Sequence, residues 1–103
     1  MIDSIFKQMA EAFIPGVLNK ELCYYFSIDE HKKTVYLDPQ NCRVDDGKTS
    51  ENADCVCKTS TEFFVRIWDQ NYRPGLKDFL AGDIRSNNPE ALKSFLAAFG
   101  KSA

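Results

Sequence analysis

The chain has 103 residues, 44% of them hydrophobic and 13% aromatic, and a net charge of −2. That length is one domain, residues 1–103, able to bury roughly two-thirds of its unfolded surface without disulfide or metal staples. Neither half carries the dense basic face that counterion release from nucleic acid requires, and no apolar run approaches the ~18 residues of a membrane span. Nucleic-acid binding and a spanning helix are excluded on these grounds.

Met1-Ile2-Asp3-Ser4 has neither a basic n-region nor an apolar h-region, and Lys101-Ser102-Ala103 is not the peroxisomal Ser-Lys-Leu. The expected location is therefore the cytoplasm. A first helix is predicted over residues 2–13, where Ile2, Ile5, Phe6, Met9 and Phe13 recur at helical spacing until Pro15-Gly16 ends it. From Leu22 to Ile28 the pattern alternates, with Leu22, Tyr24, Phe26 and Ile28 on one side of a strand. The charged run from Asp29 to Lys33 reads as a hairpin turn, and Thr34 to Asp38 as the returning strand with Val35 and Leu37 inward. Cys42-Arg43-Val44 reads as a short edge strand, followed by a loop from Asp45 to Asn52.

The second half opens with a strand over residues 53–59, Cys55 and Cys57 sharing a face. Thr59-Ser60-Thr61-Glu62 has the capping-box pattern, so a helix starts at residue 60 or 61 and carries the stripe Phe63, Phe64, Ile67, Trp68. Pro74 sits just inside the start of a second short helix and Gly82 just past its end. Residues 83–87 form a weak last strand around Ile84. Asn88-Pro89 caps a final helix whose Leu92, Phe95, Leu96 and Phe99 share one face until Gly100 ends it. The predicted fold is α+β: one five-stranded, mostly antiparallel sheet with helices packed on one face.

Few residues here carry chemistry. The four cysteines, Cys23, Cys42, Cys55 and Cys57, contain no C-x-x-C spacing, and His31 is the only imidazole, in a charged turn. Free buried thiols are expected, without a zinc site or a Cys–His nucleophile. Asp45-Asp46, Glu51 and Asp54 lack the ligand alternation of a calcium loop and read as solvated. Arg66, Arg73, Lys77 and Arg85 fit the wet faces of helices, with an anionic headgroup or a transient membrane-surface contact as the sharper alternative. No metal, no cofactor and no catalytic residue is expected, and the chain reads as a non-enzyme.

The order Ala53-Asp54, Thr61-Glu62-Phe63, Pro74, Phe79-Leu80-Ala81-Gly82 and Asp83-Ile84-Arg85, preceded by Tyr24-x-Phe26-x-Ile28 and Tyr36-Leu37-Asp38, resembles the sterol carrier protein 2 family over about residues 20–100. The chain departs from that pattern at Asp69-Gln70-Asn71 in the link between the middle helices, at Ser86, and at Asn87-Asn88-Pro89 after the last strand. The resemblance implies an apolar tunnel between sheet and helices that holds a fatty acid, acyl-CoA, sterol-like or isoprenoid ligand. Its lining would be Tyr24, Phe26, Ile28, Leu37, Phe63, Phe64, Ile67, Trp68, Leu76, Phe79 and Leu80, roofed by Phe95, Leu96 and Phe99. For the aromatic stripe alone, ordinary packing of helix on sheet explains the same pattern. Burying about a dozen methylenes gives ~10 kcal/mol gross. An association cost of ~4 kcal/mol or more leaves micromolar affinity or weaker, suited to a carrier that must also release. The expected function is an intracellular lipid carrier; the alternative is a non-catalytic accessory subunit that presents a lipid substrate to an enzyme partner.

Overall fold

The computed structural model describes residues 1–101. Alternation does what it predicts in strand β1, Leu22–Ile28: every second residue from Leu22 to Ile28 is buried, while Cys23, Tyr25 and Ser27 are half-buried on the other face. Strand β2, His31–Leu37, pairs with it antiparallel, placing Val35 opposite Tyr24 and Lys33 opposite Phe26. Strand β3, Cys42–Asp46, closes that edge. Strand β4, Cys55–Thr59, lies on the other side of β1 and runs parallel to it, with Cys55 beside Tyr24 and Cys57 beside Phe26. Strand β5, Ile84–Ser86, is antiparallel to β4. The sheet order is β3-β2-β1-β4-β5, with one parallel pairing among four.

That parallel pairing needs a crossing connection. Residues 47–54 make it over the outer face of the sheet. Thr34 Oγ1 donates to the Gly47 carbonyl at 2.6 Å and accepts from the Thr49 amide at 3.1 Å, which buries Thr34. Tyr36 Oη lies 2.9 Å from Thr49 Oγ1, and Lys48 sits over the Tyr25 ring. Tyr25, Tyr36 and Lys58 face away from the helices as expected, and Tyr24, Phe26, Ile28, Leu37, Cys55 and Cys57 are buried beneath them.

The inner face is covered by helices α1 (Ile2–Lys7), α3 (Thr61–Gln70) and α5 (Pro89–Ala98), and the six-residue α4 (Leu76–Ala81) sits beside α5. Phe26 joins the layers: its ring centroid lies 5.8 Å from Phe6 of α1, 5.9 Å from Phe64 of α3 and 4.9 Å from Phe95 of α5. The expected single helix over residues 2–13 is instead two pieces, α1 and α2 (Met9–Ala12), interrupted at Gln8. The Glu11 amide there bonds the Gln8 carbonyl, three residues back, so the helix tightens while Phe6 and Met9 both reach the core.

The charged run 29–33 is mostly strand rather than turn. Only Asp29 and Glu30 turn the chain, with Asp29 in the left-handed region at φ 52°. Lys33 continues the inward phase of Val35 and Leu37 and is buried, its ammonium paired with Asp3 of α1 at 2.7 Å and with Asp46 of β3. Burial works against the Lys33 charge, but the hydrogen bonds to Asp3 and Asp46 outweigh it and hold its pKa above the usual lysine value. The same pairing carries β3 two residues past Val44, with Asp46 opposite Lys33.

Candidate functional site

Helix α3 begins where its cap dictates: Ser60 Oγ accepts from the Phe63 amide at 3.0 Å. It ends at Asn71, left-handed at φ 53°, a conformation that asparagine adopts more readily than most residues. Its stripe turns inward. Phe63, Phe64 and Ile67 are buried, and half-buried Trp68 stacks on Phe64 and tilts against Phe99 at 5.4 Å. Lys101 clamps this edge by donating to the Trp68 carbonyl at 2.8 Å with its ammonium over the indole.

Ten of the expected lining residues thus lie in the core: Tyr24, Phe26, Ile28, Leu37, Phe63, Phe64, Ile67, Phe95, Leu96 and Phe99. They pack on one another, Phe95 lying 5.0 Å from Tyr24 and 4.8 Å from Phe99. Tyr24 also donates its hydroxyl to the Ala91 carbonyl at 2.7 Å, and burial raises its pKa. The short helix α4 divides the rest. Phe79 is half-buried against the core, whereas Leu76 and Leu80 are 75% and 78% exposed, on the outward side of α4. Pro74 lies outside α4 rather than inside its first turn, because Gly75 is the N-cap.

Between α4 and α5 lies an apolar cleft of about 40 Å³, lined by Pro74, Phe79, Pro89, Leu92, Leu96 and the Lys93 side chain at its rim. Lys93 lies 3.7 Å from Glu90, both largely exposed, an ion pair of little energetic weight. A polar group closes the far side of α4. The buried Asp78 carboxylate accepts from the Gly75 amide at 2.8 Å and from the Tyr72 hydroxyl at 2.7 Å, and the Arg66 guanidinium lies over the Tyr72 ring. The Gly75 amide first, then the Tyr72 hydroxyl, hold the Asp78 pKa below its ordinary 3.8, with Lys77 and Arg66 acting in the same direction. A depressed carboxylate pKa means stabilisation that is complete above 3.8 and lost as pH falls through the lower folded value. The Gly75 amide resonance is therefore expected to titrate with a midpoint below 3.8 in an NMR pH series, and a midpoint at or above it would show that the carboxylate is not held.

Sequence reasoning missed Asp78. It foresaw the cap at Asn88 but missed what the other departures from Ser86 to Asn88 do. The Asn87 side-chain carbonyl accepts from the Val56 amide, and that of Asn88 caps α5 at the Ala91 amide while its amide group donates to the Asp54 carbonyl. Ser86 Oγ accepts from the Asn88 amide and lies 3.4 Å from Cys55 Sγ. Asn followed by Pro before an apolar run was the available signal for the cap; the cross-strand bonds had none.

The four cysteines are free. Burial pushes the Cys57 thiol up to about 12 and the Cys42 thiol up to about 11, and burial also raises Cys55, so these sulfurs stay protonated at neutral pH. Among the described residues no cluster of three His, Cys, Asp or Glu side chains is placed to hold a metal ion, and no helix is long and apolar enough to cross a membrane.

No family model and no curated protein matches the sequence. Solved structures do match in fold. A stereoselective inverting sec-alkylsulfatase from Pseudomonas sp. superposes on 96% of this chain with a TM-score of 0.84 at 12% identity, the chain spanning 16% of that enzyme's length. A ubiquinone synthesis protein, UbiJ-SCP2, matches 82% of this chain and 68% of its own at a TM-score of 0.57 and 10% identity. Sterol carrier protein 2-like 2 from Aedes aegypti matches 91% and 89%, respectively, at 0.52 and 16%. These likenesses establish the fold as that of sterol carrier protein 2 domains.

Proposed function

We propose that this chain, built on the sterol carrier protein 2 fold, is a lipid-binding carrier domain that takes one elongated apolar ligand between α4 and α5. The ligand class is a fatty acid, acyl-CoA, sterol-like or isoprenoid molecule. The observation that carries the reading is the apolar cleft of Pro74, Phe79, Pro89, Leu92 and Leu96, set under a helix of only six residues and next to the aromatic core. A single cation, Lys93, stands at its rim, where an anionic head would meet water. No catalytic step is assigned to this chain. Titration of a fluorescent fatty acid is expected to saturate with a Kd in the micromolar range, ~10 kcal/mol of gross burial being offset by the cost of association. Absence of saturable binding at tens of micromolar would sink the proposal.

A second reading has its own support. This chain matches 16% of an alkylsulfatase, and another match is a ubiquinone synthesis protein, so the fold occurs within or beside proteins named for chemistry on long apolar molecules. On that reading the domain presents an alkyl or isoprenoid substrate to a catalytic partner. Native mass spectrometry of protein purified from cells separates the two: co-purified lipid favours the carrier, a stable partner protein the accessory role.

A further inference from the structure

The α4–α5 cleft, at about 40 Å³, is far smaller than the roughly 300–1,000 Å³ of a pocket that encloses a ligand. Something must move before the cleft holds a ligand. The segment that roofs it is bounded on both sides by left-handed residues, Asn71 at φ 53° and Gly82 at φ 81°. Between them α4 offers the core one large side chain, Phe79, and turns Leu76 and Leu80 to solvent. Beside the apolar contacts of Pro74 and Phe79, α4 is tied to Tyr72 by the Asp78 carboxylate, which accepts from the Tyr72 hydroxyl and from the Gly75 amide at its own helix cap. Tyr72 in turn packs its ring edge-on against Phe63 of α3 at 5.6 Å and lies under Arg66, so the tie connects α4 to a helix that is firmly part of the core.

We propose that residues 74–82 are a lid, latched by the Asp78 carboxylate to the Tyr72 hydroxyl on the α3 side, whose opening exposes Leu92, Leu96 and the aromatic core and sets the rate at which a ligand enters. The lid rests on the lipid-binding reading for its purpose but not for its existence, so the decisive experiment uses no ligand. Segments attached by few apolar contacts open locally, at free energies well below that of global unfolding. In native-state hydrogen exchange of the full chain, amides of residues 76–81 are expected to exchange faster than those of α3 and α5. Tyr72→Phe removes a hydrogen bond to a charged acceptor and is expected to speed exchange in α4 by roughly tenfold or more, with α3 and α5 unchanged.

Three results overturn the lid: wild-type α4 exchanging as slowly as α5, Tyr72→Phe leaving α4 unchanged, or Tyr72→Phe accelerating α5 equally, which would make the effect global. Asp78→Asn, which keeps the side chain's size and removes its charge, is the second variant and should act in the same direction. A stopped-flow measurement with the fluorescent fatty acid then reads the consequence, an association rate that rises with the opening constant. A lid that opens in a chain that binds no fatty acid would defeat the lipid-binding proposal alone, whereas saturable binding with α4 exchanging only on global unfolding would defeat the lid alone.

Discussion

Phe26→Ala is expected to cost about 3–5 kcal/mol of unfolding free energy, the range for truncating a buried phenylalanine. The reason is position as well as size. Phe26 is fully buried and its ring touches those of Phe6, Tyr24, Phe64 and Phe95, one from each of α1, α3 and α5 and one from its own strand. A cavity there is walled on three sides by helices fixed through other contacts, so the site collapses poorly and most of the lost contact stays lost. At ~4 °C or more per kcal/mol for a domain of this size, the melting temperature should fall by more than about 10 °C. Calorimetry or circular dichroism on wild type and variant decides it, and a loss under about 1 kcal/mol would mean that the three helices do not converge on this ring.

Phe79→Asn is expected to weaken fatty-acid binding by roughly tenfold or more, since a buried Phe side chain contributes ~1.5–3 kcal/mol. Phe79 is the one large side chain of α4 that lines the cleft. Leu80 is the next residue of the same helix but is 78% exposed, so Leu80→Asn should leave both affinity and melting temperature near wild type. The sequence pattern treated the two residues alike; the structure separates them. Titrations of both variants with the fluorescent fatty acid, each with its own melting curve, test that separation. Wild-type affinity in Phe79→Asn would move the binding site away from this cleft, and equal loss in both variants would mean that the ligand lies on the outer face of α4.

Elements with strong local signals were legible. The alternation of Leu22 to Ile28, the Ser60 cap and the Asn88-Pro89 start each rest on residues within a turn or two of one another, and each stands where expected. Register followed, because a strand with one buried face cannot slip by one residue without turning Phe26 and Ile28 to water. The similarity of ordered fragments then carried the fold as a whole.

Tertiary structure decided what pairing across the chain controls. Lys33 belongs to a strand because Asp3 and Asp46, distant in sequence, neutralise it there; read locally, a run of charges is a turn. The parallel pairing of β1 with β4 depends on residues 47–54 crossing over Thr34, a contact that no periodicity encodes. In α4 the apolar residues 76, 79, 80 and 81 cover most of a six-residue helix, too few turns for a 3.6-residue period to single out one face. What turned Phe79 inward and left Leu76 and Leu80 in water was the position of α5 and the hold of Tyr72 and Gly75 on Asp78. The sequence by itself thus determined the order of the elements and the face that β1 and β4 bury, because those depend on neighbours a few residues away, while the break at Gln8 and the start of β2 at His31 did not follow from it. The cleft, its roof and its latch were decided by side chains that only folding brings together.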